Sequence, residues 1–191
     1  MKKTFIVLAA VFFAACSKNG SNNPSNPDDE PTVIPIVVPI EGYTNLGLPS
    51  GTQWKESNES GLFEYYKALE LFQNQMPTSK QFEELKEKCT WVWNGNGYTV
   101  TGPNGNSINL PAAGRLSINN LLNTKEIIDN GVRGYYWTSD HTDGNNGYYS
   151  GYYLSFGETY IGSIISAPAT ANGFSVRLCT EPIAITIVDN N

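Results

Sequence analysis

Apolar and polar positions follow two different periods along this chain, and the change between them falls at Cys89. Before it, Tyr65, Ala68, Leu69 and Phe72 recur at i, i+3, i+4 and i+7, the stripe of a helix that Asn74 stops. Thr78 with Gln81 three residues later, after Met76-Pro77, forms a capping box that opens a second helix. Phe82, Leu85 and Cys89 share its apolar face, while Glu83, Glu84, Lys86, Glu87 and Lys88 form a solvated one. Beyond Cys89 the period is two. Trp91-Val92-Trp93 meets Tyr98-Thr99-Val100 across Asn94-Gly95-Asn96-Gly97, which signals a hairpin. A turn over residues 102–106 leads to a strand at 107–110, and Pro111-Ala112-Ala113-Gly114 closes against something tightly packed. Residues 118–128 admit a short helix inside a long loop, and strands are expected at 135–139, 149–156, 160–165 and 174–179. Upstream, residues 46–54 read as a short strand broken at Pro49-Ser50-Gly51. Residues 33–40, with Pro35 and Pro39, read as an edge strand or extended lead-in. Two helices followed by many short strands predict an α+β fold.

The first residues follow neither period. Lys2 and Lys3 precede an apolar run at 4–13, and Ala14-Ala15 stand directly before Cys16. Such a run is too short to span a bilayer core of ~30 Å as a helix. It resembles a bacterial lipoprotein signal peptide over residues 1–15, with Cys16 as the lipid-bearing start of the mature chain; an ordinary signal peptide is the alternative. The several acyl chains such a residue carries anchor stably, where one would not. Residues 16–32 are rich in Ser, Asn, Pro and Asp and predict a flexible spacer, leaving 33–191 for one domain. The expected location is the cell envelope, at the outer membrane. Asp28-Asp29-Glu30 lie away from Cys16, so the membrane face stays open.

Charge and cysteine content narrow the partners. Without Lys2 and Lys3 the 12 basic residues become 10 against 18 acidic ones, a net charge of −8. That acidity excludes nucleic acid and electrostatic docking on anionic lipid, so membrane contact rests on the lipid anchor. Cys89 and Cys179 remain once Cys16 is lipidated. An oxidising compartment permits them to pair, provided their Cα atoms come within ~7 Å.

Several segments in register resemble the Fibrobacter succinogenes major paralogous domain family. They are Leu46-Gly-Leu-Pro-Ser-Gly-Thr-Gln-Trp54, Met76-Pro-Thr-Ser79, Cys89-Thr-Trp91, Val100-Thr-Gly-Pro-Asn-Gly-Asn-Ser107, Leu110-Pro-Ala-Ala-Gly114, Gly134-Tyr-Tyr-Trp-Thr-Ser139 and Phe174-Ser-Val-Arg177. Together they span most of residues 43–179. The family is similar to C-type lectin-like domains and, more loosely, to sulfatase-modifying-factor domains. The resemblance therefore implies a C-type lectin-like fold: two helices packed on a small twisted antiparallel sheet, with long loops. It also implies a disulfide between a helix and the last strand, a part open to Cys89 and Cys179. The sugar-binding triplets of calcium-dependent lectins, Glu-Pro-Asn or Gln-Pro-Asp with Trp-Asn-Asp, are missing, and Glu181-Pro182 follows the last strand. Nor does any cysteine pair suit the modifying enzymes' chemistry, so neither activity carries over.

Candidate chemistry is sparse. His141 is the single histidine, in the polar segment 140–147, and a loop histidine is by default solvated. No His/Cys cluster suggests zinc. Asp140, Asp143, Asn145 and Asn146 offer oxygen ligands for Ca²⁺, yet the same residue types build tight turns and no bidentate Glu follows at EF-hand spacing. The turn reading is preferred, and no cofactor is expected. Aromatics are the strongest feature. Tyr135, Tyr136, Trp137, Tyr148, Tyr149, Tyr152 and Tyr153 crowd the second half of the chain. Strand alternation puts Tyr152, Leu154 and Phe156 in the core and turns Tyr149 and Tyr153 outward. Aromatic faces take the apolar side of a sugar, and carboxylates and amides take its hydroxyls. The expected ligand site is therefore Trp137, Asp140, Asp143, Asn145, Asn146, Tyr148, Tyr149 and Tyr153, in a non-catalytic domain that recognises a glycan or a protein. Tyrosines filling a small sheet are the plainer alternative. A second function is structural, a surface-complex subunit that pairs strand 33–40 or tail 183–188 with a partner. Arg177, between Val176 and Leu178, is expected to be an ion-pair partner inside the domain.

Overall fold

Tyr135, Tyr136 and Trp137 are consecutive, and all three are buried. Neighbours on a strand point to opposite faces, so the ladder that holds them must be covered on both sides. The computed structural model describes residues 34–36, 38–119, 122, 124–143, 149–168 and 172–185. These fall within one unit, Thr32–Asn191. Cys16, the leader and the spacer lie outside the described residues.

The chain opens with β1 (Ile34–Ile36), β2 (Tyr43–Asn45), β3 (Gln53–Lys55) and β4 (Phe63–Glu64). Helix α1 (Tyr65–Phe72), a 3-10 turn at Gln73–Gln75 and helix α2 (Ser79–Lys88) come next. After them run β5 (Thr90–Trp93), β6 (Gly97–Thr101), β7 (Ser107–Pro111), β8 (Arg115–Asn119), β9 (Thr124–Ile128) and β10 (Arg133–Asp143). The last strands are β11 (Tyr149–Gly157), β12 (Tyr160–Ile161), β13 (Ile165–Pro168), β14 (Asn172–Phe174), β15 (Cys179–Thr180) and β16 (Ile183–Ile185). Both helices form where the sequence places them. Thr78 Oγ1 accepts from the Gln81 N–H, and Gln81 Oε1 accepts from the Thr78 N–H at 2.7 Å, so the capping box is complete. The β5–β6 hairpin also pairs as its turn signals, Trp91 against Val100 and Trp93 against Tyr98.

The α+β, lectin-like arrangement is not what these elements build. Among the described residues the fold is mostly β: four sheets stand beside the β1–β16 ladder, and the two helices are only eight and ten residues long. The sheets run β10-β11-β12 with β13 on β11, β4-β14-β8-β9, β15-β3-β2, and β5-β6-β7. Two things divert the chain from a pair of helices on one sheet. Residues 115–128 form an antiparallel hairpin, Arg115 opposite Ile128 and Asn119 opposite Thr124, where the pattern at 118–128 admitted a short helix inside a long loop. The helices also bury little: Tyr65 and Ala68 from α1, Phe82 and Leu85 from α2. That is too narrow a stripe for a helical layer. β1 and β16 pair with each other, so the two segments expected to recruit a partner strand already occupy one edge of each other.

The core lies on both faces of β10–β11. Tyr136, Leu154 and Phe156 join Leu46, Trp54, Phe82 and Leu110 on one face. Tyr135 and Trp137, with Tyr153 packed against them, join Tyr65, Phe174 and Val176 on the other. Register makes this possible, because Tyr136 stands opposite Leu154 and Trp137 opposite Tyr153. Gly134 stands opposite Phe156, whose ring crosses it so closely that a Cβ there would come within 2.1 Å of Cζ. The sheet is therefore central, and Tyr153 is not an outward tyrosine.

Arg177 is buried, and its partners are oxygens of uncharged groups instead of a carboxylate. Nε donates to Asn58 Oδ1 at 2.8 Å, Nη1 to the Lys55 carbonyl at 2.6 Å, and Nη2 to the Asn109 carbonyl. The expected ion pair is thus replaced by a clamp that ties segment 55–58 to Asn109 in β7. Asn58 Nδ2 in turn donates to the Tyr136 hydroxyl at 3.0 Å, and that hydroxyl donates to the Pro111 carbonyl at 2.7 Å.

Candidate functional site

Of the residues expected to bind a ligand, Trp137, Asp140 and Tyr153 are the ones whose side chains are described, and each serves interior packing or the start of a helix. Trp137 is fully buried, its Nε1 donating to the Phe63 carbonyl at 2.7 Å. It is a core residue with no exposed face to offer a ligand. Tyr153 is half-buried, its ring 4.7 Å from that of Phe174. Asp140 follows a register shift in β10 between Trp137 and His141, and its Oδ2 accepts the Ser79 N–H at 2.6 Å. It satisfies a free donor at the start of α2, a structural task for a carboxylate. Tyr65 secures the same corner, its hydroxyl 2.9 Å from both the Ser139 and Asp140 carbonyl oxygens. Asp143 and Tyr149 stand opposite each other in the β10–β11 ladder, and their side chains lie outside the described residues. So do Asn145, Asn146 and Tyr148. Among the described residues no three carboxylate, histidine or cysteine side chains gather as a metal site.

Cys89 and Cys179 are free thiols, which corrects the expected bridge. Cys89 ends α2 half-buried, and Cys179 lies buried in β15, its Sγ 3.5 Å from Gln81 Oε1. Burial, reinforced by Glu84, pushes the Cys89 thiol up to about 11. Burial, reinforced by Glu181, pushes Cys179 up to about 12. Neither is an activated nucleophile, since the thiolate is the reactive form. In the unfolded chain both thiols ionise near the usual ~8.5. A raised folded-state value favours the native protein below that point and loses the advantage as pH climbs through it. We expect alkylation of Cys179 by iodoacetamide at pH 8 to be slow in native protein and fast in urea. Stability followed by denaturant midpoint should fall between about pH 9 and 12. Equal alkylation rates with and without urea would contradict the burial of this thiol.

A better ligand site forms where three turns meet. Gly95 from the β5–β6 turn, Gly131 and Val132 from the turn before β10, and Glu158 and Thr159 from the β11–β12 turn border a cleft of about 340 Å³. Trp93, Arg133 and Tyr160 complete it. Each wall is fixed from behind. Trp93 is half-buried edge-on against Tyr98, ring centroids 5.2 Å apart. The Tyr98 hydroxyl lies 3.0 Å from the Gly157 carbonyl and 3.2 Å from that of Glu158, holding the third turn. Burial, and then Glu158, raises the Tyr98 pKa, which keeps this hydroxyl a donor. Asp129, at φ 61, holds the second turn: its carbonyl accepts from the N–H groups of Val132 and Arg133. Its carboxylate takes the Tyr135 hydroxyl at 2.7 Å.

The absence of a side chain at Gly157 matters here. A Cβ would come within 2.8 Å of Tyr160 Cε1, so the ring lies against backbone and keeps 41% exposure. Two aromatic rings therefore share the cleft with an exposed guanidinium and an exposed carboxylate, Arg133 and Glu158. The Tyr135 hydrogen bond, then Tyr160 and Asp129, raise the Arg133 pKa, so its charge persists. Trp93 and Tyr160 stand outside the dense aromatic run at 135–153, so aromatic density along the chain does not single them out. The usable signal was an aromatic residue flanking a glycine turn in two separate hairpins. No protein-family model, curated protein or solved structure matches this chain.

Proposed function

We propose that this chain is a cell-envelope lipoprotein, anchored at the outer membrane through Cys16, whose domain binds an uncharged glycan without altering it. The observation that carries the reading is the meeting of Trp93 and Tyr160 in one cleft with Arg133 and Glu158. The rings offer flat apolar faces to the C–H side of a pyranose. The guanidinium donates hydrogen bonds and the carboxylate accepts them, which is what a hydroxyl pair requires. Asp129 Oδ2 lies 4.0 Å from Arg133 Nη1 and Glu158 adds a second carboxylate at the cleft, so a neutral sugar is preferred over an acidic one. Because the turns are held by hydrogen bonds before any ligand arrives, little ordering cost is left to binding. Raised thiol pKa values and the acidic composition speak against nucleophilic chemistry and nucleic acid respectively. The anchor reading rests on Lys2, Lys3, the apolar run and Ala14-Ala15-Cys16.

The test is a glycan array followed by titration of the best neutral oligosaccharide against intrinsic tryptophan fluorescence. Tyr160→Ala and Trp93→Ala should each weaken binding about thirtyfold, the effect of removing a central aromatic anchor. Glycan binding that survives both substitutions, or no glycan binding at all, defeats the proposal.

A further inference from the structure

A second, larger concavity of about 760 Å³ lies between the α1–α2 connection, β10 and the segment after β15. Its wall is built from carboxamides: Gln73, Asn74 and Gln75 from the 3-10 turn, and Gln81 from α2. Hydroxyl-bearing Thr78, Ser139 and Thr180 stand between them, over an apolar base of Leu69, Met76 and Cys179. Glu181 is the one charged group among the described residues of the lining, and no aromatic ring is among them.

Two features mark this lining as more than a surface fold. The orientation of Gln81 is fixed by chemistry. The Thr78 N–H can only donate, so the oxygen of the carboxamide must face it, as it does at 2.7 Å. Thr78 Oγ1 and Cys179 Sγ approach the same oxygen. Nε2 is left with two donors and no acceptor among the described residues. The second feature is backbone strain. Gln73 ends α1 at φ 39, a conformation that normally selects glycine, and here it carries a long carboxamide into the lining.

From this geometry we infer that the corner cavity binds a short extended peptide segment lacking acidic side chains. The carboxamides of Gln73 and Asn74 each present a donor and an acceptor side by side, the complement of a peptide C=O and N–H, while Gln75 and Gln81, whose oxygens accept from Tyr43 and Thr78, offer their N–H groups. Several in a row suit an extended backbone. The base of Leu69 and Met76 takes a small apolar side chain, Met adapting its shape to it. With no aromatic platform a sugar ring has nothing to stack on. With Glu181 present and no cation in the lining, an acidic segment is repelled. The site is independent of the aromatic cleft, so a domain holding both binds a glycan at one place and a protein partner at another.

The test uses the full chain labelled with ¹⁵N and a pool of short, N-acetylated, C-amidated peptides without charged residues. A second pool carries one Glu per peptide, and a neutral cello-oligosaccharide is the third arm. The neutral pool should shift the side-chain amide signals of Gln73, Gln75 and Gln81, and the Glu pool should bind about tenfold more weakly. Gln81→Glu is the diagnostic variant. Its carboxylate still accepts the Thr78 N–H, so the capping box stays, but the free donors become acceptors. Peptide binding should fall at least about tenfold while the melting temperature holds. If that variant is destabilised, Asn74→Ala at an exposed position should show the same loss. Trp93→Ala should leave peptide binding unchanged. The inference is overturned if no pool shifts these signals, if the oligosaccharide shifts them instead, or if Gln81→Glu or Asn74→Ala binds peptide as well as the original chain.

Discussion

Arg177→Met should cost more stability than any substitution at the surface, about 4 kcal/mol or more, enough to leave a marginal domain largely unfolded. The side chain is 1% exposed, so no water replaces what it holds. Removing it strands the carbonyls of Lys55 and Asn109 and the Asn58 amide oxygen, which it contacts through three different nitrogens. Each orphaned buried acceptor costs ~1–3 kcal/mol. The loss spreads, because Asn58 then no longer steadies the Tyr136 hydroxyl that holds Pro111. Burial lowers the Arg177 pKa, with Tyr136 and Glu59 acting the other way. An arginine nevertheless stays protonated at any ordinary pH. Arg177→Lys should recover little: an ammonium is a point donor and cannot span three acceptors set in a fork. Urea unfolding followed by tryptophan fluorescence measures both variants. A midpoint for Arg177→Met within experimental spread of the original chain would mean the clamp is not what joins these segments.

This arginine also marks where sequence reading stops. Thr78 and Gln81 were legible because a capping box is a contract between residues three apart, and the β5–β6 hairpin because Asn-Gly turns declare themselves locally. Residues 115–128 were not. Their ladder depends on a register that no local pattern selects, and β9 is exposed along most of its length, so no clean alternation exists to read. The fold class failed for the same reason. Alternation along strand 149–156 predicts one covered face and one free face. The covering of the second face comes from Phe174 and Val176, far along the chain, and from Tyr65, before it. Segments 46–54, 110–114, 134–139 and 174–177 are mostly interior: Gly134 under the Phe156 ring, Trp54 and Leu110 in the core, Arg177 in its clamp. They hold the domain together and say little about its ligand. The cleft is built from Trp93, Arg133 and Tyr160, brought together by three turns from three hairpins, and only the backbone reveals that they meet.

Trp137→Ala separates a core role from a binding role. The indole is 0% exposed and packs against Phe174 at 4.2 Å, Tyr65 at 5.0 Å and Tyr153 at 5.9 Å between ring centroids. Truncating a buried tryptophan removes its transfer free energy and leaves a cavity, together ~3–5 kcal/mol. The Phe63 carbonyl, which accepts the indole N–H at 2.7 Å, adds ~1–3 kcal/mol when orphaned. Trp137→Phe weights the second part: it keeps most of the ring stack but cannot donate, so it should lose that smaller amount and only a fraction of the packing. The stack also fixes Tyr65, whose hydroxyl secures the Ser139 and Asp140 carbonyls, so Trp137→Ala should loosen the start of α2 as well. Hydrogen exchange at the Ser79 amide reports that loosening directly. A Trp137→Ala protein with an unchanged denaturation midpoint and weakened glycan binding would return this residue to the ligand site and place the domain's second core in doubt.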